Sequence, residues 1–235
     1  MNYTLAIEAS TAEPTAALLH GEETLGEHSW EATRGATQRM FSVIHDLLED
    51  HSATFESVDL FAVGLGPGGF TGLRLALSTL QALALPTRTN VLGISSAEAI
   101  ALRVQRETTP EGRIVVVGDA RRKRLWVGTF CKQQGVLQRE GDFTLVPIAE
   151  FPDRVLPGDV IASPDSTRLG SDLADVVPTS AMLLTSDLIP TATDIALLAR
   201  QRQAAGSAGE PLAPIYMHPP VFVEPRFTES TKRRL

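Results

Sequence analysis

Residues 62–85 read AVGLGPGGFTGLRLALSTLQALAL, and how this stretch folds decides how the rest of the chain is read. An apolar strand-like run, Val58–Val63, enters Gly64, Gly66, Gly68 and Gly69. A helical segment, Gly72–Leu85, leaves them with Arg74, Ser78, Thr79 and Gln81 as its only polar members. Strand, glycine turn and helix in succession form the repeating unit of α/β proteins.

The turn matches G-x-G-x-x-G between a strand and a helix, the context of a dinucleotide fingerprint. The acid that should end the next strand is missing, because Asn90–Ser96 is neutral. A P-loop is excluded sooner: Gly64-x4-Gly69 is followed by Phe70-Thr71, which leaves no lysine for the phosphates. Two readings survive. The first amides of the helix, with Arg74 beside them, receive an anion; or the glycines let two backbones approach closely, with Pro67 stiffening the turn. The helix poses a separate question. Apolar in nearly every direction, it needs cover in nearly every direction, from the second half of the chain and neighbouring helices or from a partner protein.

Outward from this stretch, Tyr3–Ile7, Thr15–His20 and Glu23–Trp30 read as a strand meander, followed by an amphipathic helix over about 33–51. After the central unit, Asn90–Ile94 is a strand, and Ser95 or Ser96 caps a helix running to about Arg106. The order βββαβαβα calls for a partly parallel sheet with helices packed on it. From Gly112 the pattern restarts: Arg113–Asp119, Leu125–Phe130 and Phe143–Ile148 form a second meander. A short strand at Val160–Ala162 and a helix over 193–205, capped by Thr191 or Thr193, follow. The proline-rich remainder, with its terminal basic cluster, reads as an extended tail.

Composition bounds the function. With 43% hydrophobic and 21% charged residues among 235, the chain has the makeup of an ordinary globular protein. A net charge of −7 excludes a surface that embraces nucleic acid all round, so any RNA contact is local or shared with a partner. Cys131 is the sole cysteine, which rules out an intrachain disulfide or a cysteine-based zinc site and fits a reducing compartment. MNYTLAIEAST turns polar after Ile7, and no run of about 18 apolar residues occurs, so the expectation is a cytoplasmic protein without leader or membrane span. Glu8, Ser10, Thr11, Thr15 and His20 offer carboxylate, hydroxyl and imidazole, but no G-x-S-x-G elbow presents a nucleophile. The run Arg121-Arg122-Lys123-Arg124 is either a solvated turn or a local RNA backbone contact.

The central stretch resembles the GPGSFTG(L/V)R signature and following helix of the TsaB (YeaZ) family, relatives of the TsaD/Kae1 proteins. In this sequence the signature loop is Gly66, Pro67, Gly68, Gly69, Phe70, Thr71, Gly72 and Arg74. The likeness continues in LAIEASTAEPTAALL, ATQRMFSVIHDLLED, GISSAEAIA, VVVGDARRKRLWVG and APIYM. It departs from the family pattern at Glu8, where Asp is usual, at Ala9 in place of Thr and at Gly69 in place of Ser.

The resemblance implies an α/β actin-like ATPase (ASKHA) fold with two RNase H-like lobes and mixed sheets. Residues 1–110 would form the first lobe, 111–218 the second and 219–235 the tail. It also implies a non-catalytic subunit that binds and activates a TsaD-type threonylcarbamoyltransferase, with the TsaE ATPase joining the assembly and tRNA reached indirectly. In isolation a homodimer is expected. No metal or other cofactor is implied. The two histidine ligands of TsaD-like relatives, in H-x-x-x-H, align with Ala36 and Met40, and the histidines at 20, 28, 45, 51 and 218 contain no i, i+4 pair. The expected partner interface is Met40, Phe41, Ile44 and Leu47 on one helix and Leu73, Leu77, Leu80 and Gln81 on the other. The alternatives are an actin-like nucleotide-binding ATPase, with Glu8, Ser10 and Asp119 bracketing a nucleotide, an inactive relative of the M22 (glycoprotease-like) peptidases, or a self-sufficient dimeric module.

Overall fold

Strand-forming runs and glycine turns set up the first half of the chain. In the computed structural model, which describes residues 3–32, 36–133, 136–207 and 210–217, β1 (Tyr3–Glu8), β2 (Thr15–His20) and β3 (Glu23–Ser29) form the meander. There follow α1 (Ala36–Asp50), β4 (Val58–Gly64), α2 (Phe70–Ala84), β5 (Asn90–Ile94) and α3 (Ser96–Thr108). The sheet order is β3-β2-β1-β4-β5, antiparallel through the meander and parallel across β1, β4 and β5. The second half carries β6 (Ile114–Asp119), β7 (Arg124–Gln133), β8 (Val136–Arg139), β9 (Thr144–Pro147), β10 (Val160–Ala162), α4 (Ser166–Ala174), β11 (Met182–Leu183) and α5 (Ala192–Ala204). Its sheet order is β11-β10-β6-β7-β8, with β9 also paired to β7.

The elements stack in five layers: α1 and α2, the first sheet, α3 and α5, the second sheet, and α4 with the 3-10 segment Ile148–Arg154. Side chains alternate along each strand, so each sheet buries one face against the middle helices and the other against its outer layer. Ala6, Ala17, Leu60 and Ile94 of the first sheet share one core with Val116, Phe130 and Val160 of the second, through Ile100, Val104, Ile195 and Ala199. The α5 helix, expected to belong to the second lobe, therefore packs on the first sheet. Its start is anchored there by the Ala192 amide donating to Thr15 Oγ1 at 2.8 Å.

Several boundaries differ from the reading above. The α2 helix begins at Phe70, not Gly72, because Gly69 already has the extended φ and ψ of an N-cap. Ser95 occupies the N-cap of α3, yet its hydroxyl donates to Gly66 O at 3.2 Å instead of capping its own helix. Thr191 caps α5 by accepting from the Asp194 amide. Three elements, β8, α4 and β11, were not expected: β11 has two residues, and α4 is broken by the non-helical Gly170. The expectations for residues 33–35, His218 and the tail 219–235 lie outside the described residues. Among the described residues no helix is long and apolar enough to cross a membrane.

The covering of α2 has an internal answer. Leu73, Leu77 and Leu80 are buried within this chain, as are Met40, Ile44 and Leu47 on α1, and all of these but Leu73 belong to the core packed against the first sheet. These six residues were expected to face a partner, and the structure corrects that: they are turned inward. Only Phe41 and Gln81 of the expected set lie on the surface, Phe41 being 47% exposed. The reason is that periodicity identifies an apolar stripe but not what it meets, and an outer helix must spend that stripe on its own sheet.

Candidate functional site

The glycine loop is a packed turn. Gly69 N donates to Ser10 O at 2.7 Å, and a Cβ on Gly68 or Gly72 would collide with the carbonyl of Ser10 or Ala9 respectively. The loop and the start of α2 lie directly on the β1–β2 turn, so close backbone approach accounts for these two glycines. Gly66 needs no side chain for a second reason, its φ of +89°. Its amide donates to Ser96 Oγ at 2.9 Å, and its carbonyl accepts from the Ser96 amide at 2.9 Å.

Glu8 is locked behind this loop. One carboxylate oxygen accepts from the Ser10 amide at 2.6 Å and the other from Ser96 Oγ at 2.7 Å, and the residue is 1% exposed. Burial pushes its pKa above the ordinary glutamate value, against the lowering effect of the Ser10 and Ser96 hydrogen bonds. Of the three residues expected to bracket a nucleotide, Ser10 and Asp119 line the cleft between the lobes, whereas Glu8 is sealed beneath it.

That cleft encloses about 1110 Å³. Its second-lobe wall is a closed ionic array. Asp119 accepts from the Arg121 amide at 2.6 Å and pairs with Arg168 Nε at 3.1 Å, while Arg168 also pairs with Asp165 at 2.7 Å. Its first-lobe rim is different. Phe70 and Tyr216 stack with ring centroids 4.9 Å apart, the Arg74 guanidinium lies 3.9 Å from the Phe70 centroid, and Arg74 Nε donates to the Tyr216 hydroxyl at 2.6 Å. Tyr216 reaches the rim because Ile215 N donates to Leu65 O at 2.7 Å, strapping the segment 210–217 over the glycine loop. Tyr216, Arg168 and Trp126 were missed by the sequence reading, since nothing local to them announces a site; only the strap and the sheet-to-sheet stacking bring them to the cleft.

The other expected groupings disperse. Thr15 is occupied by the Ala192 amide, and His20 stands on the far end of β2 beside Tyr3, so no hydrolase constellation forms with Ser10. Met40, at the aligned position of a metal-ligating histidine, is a core side chain. Among the described residues there is no group of three or more His, Cys, Asp or Glu side chains placed to hold a metal. In the basic turn, Arg121 pairs with Asp119, and Lys123 pairs with Asp172 at 2.6 Å.

Comparison with known proteins adds to this geometry. Residues 24–156 match the family model described as TsaD: tRNA N6-adenosine threonylcarbamoyltransferase. The chain is 24% identical over 217 residues to the tRNA threonylcarbamoyladenosine biosynthesis protein TsaB of Bacillus subtilis (strain 168), covering 91% of this chain and 93% of that protein. The solved structure of YeaZ from Pseudomonas aeruginosa superimposes with a TM-score of 0.75 at 30% identity, covering 92% of this chain and all, 100%, of that one. At the level of fold alone, the (R)-2-hydroxyglutaryl-CoA dehydratase component A of Acidaminococcus fermentans matches with a TM-score of 0.50 at 11% identity, over 87% of this chain and 100% of that one.

Proposed function

The chain belongs to the TsaB/YeaZ family, with the actin-like α/β fold and a role in tRNA threonylcarbamoyladenosine biosynthesis, and from that premise we propose that it is a non-catalytic subunit. It binds and activates a TsaD-type threonylcarbamoyltransferase, which modifies the adenosine beside the anticodon. The observation that carries this reading is the state of Glu8. In a nucleotide-hydrolysing relative, the carboxylate at the end of the first strand must be free to organise metal and phosphate. Here both of its oxygens are consumed by Ser10 and Ser96, and it is buried. A carboxylate so engaged joins β1, the glycine loop and α3 into one rigid unit; catalysis would require it to let go.

A rigid first lobe is suited to presenting a surface. The outer face of α1 and α2 carries Phe41, Ser78, Gln81, Ala82 and Leu85, with Leu85 75% exposed. This face, and not the buried stripe beneath it, is where the partner docks, and in the partner's absence a second copy takes its place. Activation then follows from population shift: the partner's active arrangement is the one that fits this face. TsaE joins the assembled pair.

The test is size-exclusion chromatography with light scattering on the chain alone and mixed with the TsaD homologue from the same source, followed by assay of threonylcarbamoyladenosine formation. A complex that forms, and whose activity depends on the chain, is expected. A chain that ignores the TsaD homologue, or hydrolyses nucleotide by itself, would remove the proposal.

A further inference from the structure

The rim of the interlobe cleft is built as a stacking platform. Phe70 is 49% and Tyr216 37% exposed, and their rings lie at 27° to each other in a stacked arrangement. Together the two half-exposed rings form a small aromatic patch at the rim of a cleft, a place where ligands are met. Arg74 lies beside the pair, 3.9 Å from the Phe70 centroid and 5.5 Å from that of Tyr216. Among the described residues Arg74 makes no ion pair, whereas Arg121 and Arg168 across the cleft are tied to Asp119 and Asp165. The first-lobe side thus offers π-faces and, among the described residues, an arginine outside any ion pair, with Glu13 farther along the same lining, whereas Arg121 and Arg168 across the cleft are engaged by carboxylates.

Two exposed rings with a guanidinium at the edge of a cleft of about 1110 Å³ fit a particular chemistry. Bases stack on aromatic faces regardless of sequence, and arginine serves both the ring and the adjacent phosphate. A helical duplex keeps its bases stacked on one another and offers none to such a platform; a loop does. We infer that Phe70, Tyr216 and Arg74 form a binding site for an unpaired nucleotide of single-stranded RNA, one base stacking on the ring pair and its phosphate meeting Arg74. The inference rests on the chain's role in tRNA threonylcarbamoyladenosine biosynthesis, which brings an RNA loop to the assembly. The arginines of the opposite wall, Arg121 and Arg168, are engaged by Asp119 and Asp165, so the contact involves about one phosphate, at Arg74.

The experiment is fluorescence anisotropy of the full chain at low salt, with a labelled RNA hairpin whose loop is the size of an anticodon loop, a blunt RNA duplex, and adenosine monophosphate as competitor. The hairpin should bind more tightly than the duplex. Phe70→Ala and Tyr216→Ala should each weaken hairpin binding by roughly five- to a hundredfold. Phe70→Tyr and Tyr216→Phe, which keep the rings, should retain most of it. Arg74→Gln should lower the slope of log affinity against log salt by about 0.7, the value for one phosphate on a single strand. Thermal melts and complex formation with the TsaD homologue, measured on the same variants, separate loss of this site from misfolding and from failure of the subunit role. Absence of saturable hairpin binding, equal binding of duplex and hairpin, or no effect of removing either ring overturns the inference. Displacement of the RNA by adenosine monophosphate at matching concentration also overturns it, in favour of a mononucleotide pocket.

Discussion

Ser96 Oγ donates to Glu8 Oε2 at 2.7 Å across 88 residues of sequence, and the Gly66 amide donates in turn to the same hydroxyl at 2.9 Å. The end of β1, the glycine loop and the first turn of α3 are therefore held by one buried polar chain. Gly64 sits against it so closely that a Cβ there would overlap the Glu8 carboxylate. A signature rich in glycine thus serves a buried acid and a backbone crossing.

Gly64→Ala should destabilise the protein by about 3 kcal/mol, because the added methyl displaces a side chain whose hydrogen bonds cannot be remade elsewhere. Urea unfolding reads this directly. A midpoint within error of the parent would mean that the carboxylate is free to move.

Stability should also carry the signature of Glu8 in its pH dependence. Burial raises the folded-state pKa above the ordinary value of 4.5. Below that pH both states hold the proton and the contribution is fully present. As pH rises, the unfolded chain ionises first, so the contribution is lost progressively through the folded-state pKa. Glu8→Gln removes this titration. The stability difference between variant and parent should be flat in acid and move in the variant's favour above about pH 4.5. Glu98, raised by burial despite its pairing with Arg202, remains in both proteins and cancels. A difference that stays constant from acid to neutral pH would contradict the shift.

The inward turn of the leucines on α2 separates two kinds of variant. Leu80→Ala should cost about 2–5 kcal/mol of stability, since its side chain is fully buried against the first sheet. Phe41→Asp and Leu85→Asp should change stability by no more than about 0.5 kcal/mol while weakening association with the TsaD homologue. Thermal melts beside chromatography of the mixture test both halves. Retained association in both surface variants would move the docking face elsewhere.

The basic turn should respond to glycine. Arg121, Arg122 and Lys123 have φ of 64°, 54° and 57°, three successive left-handed residues with side chains. Each is strained by roughly 1 kcal/mol, and Arg122→Gly should recover about 0.5 kcal/mol net of the greater freedom of the unfolded chain. A melting temperature that falls on this substitution would show that the Arg122 side chain contributes more than its backbone loses.

Much of this architecture was legible in the chain. The alternation of β1, β2, β4 and β5 with α1, α2 and α3 follows from apolar periodicity and glycine punctuation, which are local properties. The repeat of a meander after Gly112 likewise announced a second sheet. The short elements escaped because two residues of β11 or a kinked α4 carry too little periodic signal. In the site, the motif residues Gly66, Phe70 and Arg74 were visible, but their roles were not.

The sequence by itself determined that a glycine turn joins a strand to an apolar helix in an α/β protein, and that no lysine or ribose-binding acid accompanies it. Those conclusions rest on spacing and residue type, which need no partner in space. Only the tertiary structure decided that Leu73, Leu77 and Leu80 point inward, that Glu8 is sealed by Ser96, that α5 returns to the first sheet and that Tyr216 reaches Phe70. Each of these depends on which surfaces meet after distant segments are brought together. An apolar stripe, a carboxylate or a ring has the same local sequence whether its neighbour is water, a sheet or another ring.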